Sequence, residues 1–356
     1  MNYFFQNIVN KFIYFSRNIF SKPNEVTIEI TDRCNLDCFF CFNKFSTKNT
    51  EKNDTLRHNY IKDIITNISK FGIKKIRFSG GEPLIREDIY DLMEYAKSKG
   101  LRVWLNTNAT LINKQRAAKL SKLVDNVLVP LNSYDKETEF FVTGKKLFES
   151  KLAGLRMLKE TEIKVVRTGT VLTKLNILNL EKIYGLVKKL KIKYWELFRP
   201  IPAPYNLMPV NNDDISILVP KILKINEENG TAYKIFNAIP FCAFNPEQMA
   251  KIASGARHDD GHTRVVISFN GVIKPMYYFN KEIGNILINK PFGSYWNHKF
   301  MKRMRYLKFA PEVCKKCRYL TICLGGSRAV SKVVNGNYSG LDYLAQPGRY
   351  KDYLFR

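Results

Sequence analysis

From about residue 23, short apolar runs alternate with longer stretches in which apolar residues recur at helical spacing. The runs 26–30, 75–79, 101–106, 126–131, 164–172 and 193–198 read as strands, being short and rich in β-branched and aromatic residues. Between and after them, 56–70, 86–99, 113–122, 145–159 and 176–190 carry the 3.6-residue period of amphipathic helices. Strands that each feed a helix predict parallel pairing with right-handed crossovers, hence an α/β fold. Arg199-Pro-Ile-Pro-Ala-Pro204 ends the alternation, because closely spaced prolines stop any regular element. One further helix is expected over 213–229.

The first 22 residues form a separate segment. Phe4, Phe5, Ile8, Val9, Phe12, Ile13, Ile19 and Phe20 fall on one helical stripe, with Lys11, Arg17 and Lys22 elsewhere. Polar residues recur too often for a membrane span. The stripe either lies on an anionic membrane surface or packs against the main fold, and packing is the commoner fate.

With 356 residues and 45% apolar content, the chain has enough material for a folded core of about two domains. The net charge of +26 favours acidic partners. No arginine-rich arm or stacked aromatic–basic repeat argues for specific nucleic-acid reading. The seven cysteines are odd in number and gather in short motifs, which suits metal ligation in a reducing, cytoplasmic setting better than disulfides. His58, His258, His262 and His298 show no metal-ligand spacing, and a surface turn is the simpler place for His262. Tyr277 and Tyr278 read more simply as core aromatics than as an electron or proton relay.

Cys34, Cys38 and Cys41 follow the first strand as C-x3-C-x2-C, which offers three thiolates from one short loop. An iron–sulfur cube normally takes four cysteines, so a trio leaves one iron open. Ser79-Gly80-Gly81-Glu82-Pro83 follows the second strand. Its glycines let the backbone approach a ligand closely, and Pro83 stiffens the turn. Half of a zinc site is the bland alternative for the cysteines, but no second knuckle stands nearby.

Together these two motifs resemble the radical SAM superfamily. The resemblance implies a partial (β/α)6 TIM-like barrel with both motifs at the C-terminal strand ends. It also implies a [4Fe-4S] cluster with an open site on Cys34, Cys38 and Cys41, and S-adenosylmethionine as cosubstrate. One electron from an external reductant of ferredoxin or flavodoxin type then yields a 5′-deoxyadenosyl radical. Phe40 matches the family's aromatic near the adenine. Ser79, Gly80, Gly81, Glu82 and Pro83 match its cosubstrate shelf, with Glu82 and nearby carbonyls accepting from the methionine ammonium. Asn106 to Thr110 resembles the family's Thr-Asn-Gly-Thr stretch, with Ala109 in place of glycine. Asn132, Thr170, Asn176 and Arg199 stand at strand ends where further contacts are expected.

Cys314-Lys-Lys-Cys317, then Cys323-Leu-Gly-Gly, resembles the SPASM-type extension that holds auxiliary clusters. Met276 and Ser327 stand where that pattern has cysteines. A single second [4Fe-4S] cluster is therefore expected, on Cys314, Cys317 and Cys323, with Asp342 or Cys242 as fourth ligand. A zinc knuckle or an empty site is the alternative. The expected organisation is an N-terminal helix (1–22), a barrel (23–205), a linker helix (206–240) and a smaller C-terminal Fe–S cluster domain (241–356). A peptide or protein substrate is the first reading. Oxidation or rearrangement of a small molecule (a sugar, cofactor precursor or lipid headgroup) is the second, and a non-catalytic Fe–S or zinc protein that binds nucleic acid through its charge the third.

Overall fold

The computed structural model describes residues 22–42, 56–201, 209–256, 261–279, 281–288 and 290–355. The expected N-terminal helix falls outside them except for Lys22, as do residues 202–204 of the proline-rich segment. Six parallel strands follow one another in sequence order: β1 (Glu25–Glu29), β2 (Lys75–Ser79), β3 (Arg102–Asn106), β4 (Asn126–Pro130), β5 (Val165–Val171) and β6 (Tyr194–Phe198). Helices α1 (His58–Lys70), α2 (Ile89–Ser98), α3 (Lys114–Leu123), α4 (Lys136–Thr143), α5 (Phe148–Lys159) and α6 (Leu180–Lys189) form the crossovers, and α7 (Asn212–Asn229) follows β6.

The sheet does not stop where a domain boundary was expected. Strand β7 (Lys234–Ile235) pairs in parallel with β6, and β8 (Arg264–Ile267) pairs in parallel with β1. From there β9 (Val272–Lys274) and β10 (Gly284–Asn285) continue antiparallel. Residues expected in a separate C-terminal unit thus extend the barrel sheet beyond β1.

Alternation along the strands sorts the sheet into two chemically different faces, because successive side chains point to opposite sides. Val26, Ile28, Ile76, Phe78, Val103, Leu105, Val127 and Val129 are buried in the apolar core with the helices. Ile61, Ile64, Ile65 and Ile68 of α1 join the same core. Each such side chain contributes about 1.5–3 kcal/mol by leaving water. The other face carries Glu25, Thr27 and Glu29, then Arg77 and Ser79, then Trp104 and Asn106, then Arg167 and Glu196. Register places Thr27 beside Arg77, and Arg77 beside Trp104. The inner wall of this half-barrel is polar and charged.

Helix α4 was not expected from the sequence, since its apolar residues do not form one stripe: Phe140 and Phe141 are exposed. Capping defines it instead. Asp135 accepts from the Thr138 amide, and Gly144 ends the helix at φ 66°.

Candidate active site

The loop bearing Cys34, Cys38 and Cys41 leaves the C-terminal end of β1 and is clamped from two sides. On one side, the Gly81 amide donates to the Thr31 carbonyl and the Glu82 amide to the Arg33 carbonyl, each at 2.8 Å. A Cβ at Gly80 would meet the Thr31 oxygen at 2.3 Å, and one at Gly81 the Arg33 oxygen at 2.0 Å. The glycines therefore let the loop after β2 interlock with the cysteine loop; that is the approach their missing Cβ atoms permit. On the other side, the amides of Asp37 and Phe39 donate to the carbonyls of Thr143 and Val142 at the end of α4.

The Glu82 carboxylate braces the same region. It accepts from the Leu84 amide (3.1 Å), the Thr107 hydroxyl (2.7 Å) and the Asn108 amide (2.7 Å). Its side chain thus ties the end of β2 to the end of β3, which leaves the neighbouring carbonyls as the freer acceptors for an ammonium. Pro83 opens the short turn Pro83–Ile85 that Glu82 caps. Phe40 is half-buried, edge-on to Phe39 at 5.2 Å. The Asn106 side chain accepts from Arg77 (2.9 Å) and donates to the Ser79 hydroxyl (3.4 Å).

Ala109, standing where the resemblance has glycine, adopts φ 63° and is fully buried. A Cβ in the left-handed region is strained by about 1–2 kcal/mol. Ala109→Gly is accordingly expected to stabilise the chain by about 1 kcal/mol, read as a raised urea midpoint.

The four strand-end residues expected as further contacts all have side chains engaged within the protein. Asn132 spends its side-chain oxygen on the Val171 amide at 2.8 Å, bracing β4 against β5. Thr170 donates to the Leu131 carbonyl and accepts from the Trp195 indole. Arg199 is fully buried and forms a fork on Asp342, at 3.0 and 2.5 Å, with its Nε donating to the Ala238 carbonyl. Asn176 likewise serves the backbone, donating to the carbonyls of Asn132 and Val171.

That fork also corrects Asp342 as a cluster ligand. Both its oxygens are occupied by Arg199, and Oδ2 accepts from the Ser327 amide as well. Cys242, the other fourth ligand the sequence offered, lines one pocket of about 390 Å³, mouth included, with Cys314, Cys317 and Cys323, between Phe241 and Tyr319. Sequence spacing left Asp342 and Cys242 as alternatives, since Cys242 lies far upstream of the other three. His262 is buried, where a surface turn was expected.

Both cysteine sets fit iron–sulfur clusters by their donor chemistry. Backbone amides point at sulfur: Leu36 at Cys34, Phe241 at Cys323 and Tyr319 at Cys317, each at 3.4 Å. Burial pushes the Cys38 and Cys314 thiols up to about 12, Cys317 to about 11, and those of Cys34, Cys242 and Cys323 upward too. Thiolates in such places need a cation to sustain them, and amide donors then offset their charge. Among the described residues, no three His, Cys, Asp or Glu side chains are drawn together tightly enough for a single metal ion. The zinc alternative, which needs tetrahedral donors about one centre, gains no support.

Above the inner wall sits one titratable group that sequence reading passed over. Glu29 is 3% exposed, and burial lifts its carboxyl to about 7 against the opposing pull of Lys274 and Ser268. A raised carboxyl contributes stability that is full below its unfolded value of 4.5 and is lost as pH climbs through 7. Wild type should therefore lose at most about 3 kcal/mol over that window. Glu29→Gln should flatten this part of the profile, measured by urea unfolding at successive pH values.

The family model for the Radical SAM superfamily matches residues 28–189, which span the cysteine loop and the Gly-Gly-Glu-Pro turn. The Fe-coproporphyrin III synthase of Methanosarcina barkeri is 26% identical over 351 residues, covering 89% of this chain and 87% of the relative. Among solved structures, SuiB of Streptococcus suis bound to precursor peptide SuiA superposes with a TM-score of 0.73 at 18% identity, covering 96% of this chain and 79% of that one. Native anSMEcpe with bound AdoMet gives 0.73 at 19% identity, covering 92% and 96%. These structures share the fold, and no described helix is long and apolar enough to cross a membrane. The family match, the fold and the interlocked motifs agree: residues 28–189 form a Radical SAM domain, and this chain is an S-adenosylmethionine-dependent enzyme.

Proposed function

We propose that Cys34, Cys38 and Cys41 hold the open-site [4Fe-4S] cluster and that Cys242, Cys314, Cys317 and Cys323 hold a second one. The observation that carries this reading is the interlock of Gly80, Gly81 and Glu82 with the carbonyls of Thr31 and Arg33, which fixes the cysteine loop beside the cosubstrate shelf. When bound, the first cluster supplies the electron that cleaves S-adenosylmethionine and so provides the radical that takes hydrogen from substrate. The chain's own part is placement. Glu82 and Asn106 stiffen the strand ends beside the cysteine loop, and α4 closes that loop from outside. Arg199 and Asp342 fix the second cysteine group to the end of β6.

A small organic molecule is the substrate class we favour. The polar inner wall, with ion pairs Arg77–Glu25 and Arg167–Glu196, suits a compact polar ligand. The relative from M. barkeri is itself named for a small-molecule product. A peptide is the second reading, supported by the likeness to a fold that binds one in SuiB.

The test uses anaerobically reconstituted protein with dithionite and S-adenosylmethionine. Release of 5′-deoxyadenosine should rise with a small-molecule extract and not with its peptide fraction; stimulation by the peptide fraction alone would reverse the preference. Cys242→Ala should lower iron from about eight per chain to about four. Dithionite-driven cleavage should persist in that variant.

A further inference from the structure

We infer that the inner wall of the half-barrel contains a receptor for an oxyanion of the substrate, centred on Arg167. This rests on the small-molecule reading above and deepens it. Arg167 is 8% exposed and lies on the polar face. Its Nε donates to the Asn126 side chain at 2.7 Å, and Nη1 pairs with Glu196. Nη2 is buried with no partner among the described residues. A buried guanidinium N–H without an acceptor costs about 1–3 kcal/mol or more, so such a group persists where a ligand completes it.

Charge balance in the wall points the same way. Lys75, Arg77 and Arg167 crowd the Trp104 ring at 4.9, 4.6 and 5.2 Å. Arg264 adds a fourth cation, and its Nε also lacks a partner among the described residues. Facing these are the carboxyl groups of Glu196 and of Glu25, which Arg77 and Arg264 hold well below the usual carboxylate range against burial; burial keeps the third, Glu29, largely protonated below neutral pH. Arg77 is close enough to pull the Arg167 guanidinium down, behind burial as the main cause. An incoming anion relieves that repulsion.

Register then places the receptor opposite the cosubstrate shelf. Glu29 pairs with Ser79, Asn106 with Leu128, and Leu128 with Arg167. The Ser79–Asn106 hydrogen bond joins the two halves of this row. Asn106 in this row and Trp104 beside it are only half-buried, so this part of the inner wall is partly open to solvent. A carboxylate or phosphate held by Arg167 would orient the rest of the substrate toward the shelf, in the way forked guanidinium contacts fix planar or tetrahedral oxyanions.

Calorimetric titration of the reconstituted, full-length protein tests this without turnover. Glutarate and inorganic phosphate serve as probes, at physiological salt to suppress non-specific binding to the basic surface. Wild type should bind at least one of them about tenfold more tightly than Arg167→Gln. Arg167→Lys, which keeps the charge and so guards against misfolding, should fall between. Exposed Lys136→Gln should bind like wild type. Tighter glutarate assigns the anion as a carboxylate, and tighter phosphate as a phosphoryl group. Equal binding by wild type and both Arg167 variants, or no binding by any, overturns the proposal. It also falls if the variants weaken S-adenosylmethionine and leave both anions untouched. Release of 5′-deoxyadenosine, measured separately, reports on the family chemistry whatever the titration gives.

Discussion

Replacing Cys38 by Ala should abolish 5′-deoxyadenosine release altogether, while the second cluster remains in place. The trio Cys34, Cys38 and Cys41 has no spare donor: the other four cysteines line a separate pocket beyond β6. A cube held by two thiolates is expected to be lost, so iron should fall from about eight per chain to about four. The fold should survive, because the cysteine loop is tied by the backbone bonds of Asp37, Phe39, Gly81 and Glu82 rather than by the sulfur atoms. Iron analysis, circular dichroism and chromatographic assay of 5′-deoxyadenosine check this together. Residual cleavage at wild-type rate would remove the basis for assigning the radical-generating cluster to this loop.

Asp342→Ala should be the most damaging single change outside the cysteines. It strands the Arg199 guanidinium, which is fully buried and, Asp342 aside, donates to the Ala238 carbonyl and lies against Tyr343. Removing one member of a buried ion pair costs about 3–5 kcal/mol. The loss should be local in its consequences as well. Oδ2 of Asp342 also holds the Ser327 amide, and a Cβ on Gly326 would stand 2.8 Å from that oxygen, so the turn following Cys323 is built around this carboxylate. The variant should therefore unfold at lower urea and reconstitute the second cluster poorly, with the first unaffected. Arg199→Met combined with Asp342→Leu should recover most of the stability, because an apolar pair leaves no buried charge behind. A double variant as unstable as Asp342→Ala would show that the pair does more than satisfy itself.

The amino-acid order alone determined the six strands and most of their helices, since the apolar face of each element repeats at its own period. Strand β2 runs over Lys75–Ser79 as expected, and the others differ by one residue at one or both ends. It also determined the two motifs, whose residues are close in the chain and whose chemistry is local. Helix α4 escaped because caps, not an apolar stripe, define it. The inner wall was written in the alternation Glu25, Thr27, Glu29 and Lys75, Arg77, Ser79, a polar set at period two, yet its meaning depended on which way the sheet curves.

Tertiary structure decided everything that hangs on pairing across long separations. Arg199 and Asp342 were each given a role at a cofactor, but they are 143 positions apart and neutralise one another. Cys242 joins the other three cysteines in one pocket because the chain returns to the end of β6, a matter of path and not of spacing. The glycines of the shelf proved to serve the neighbouring loop, since only the packed strand ends reveal what a Cβ would strike. Periodicity and short-range chemistry are properties of the chain; the partner of a buried charge is a property of the fold.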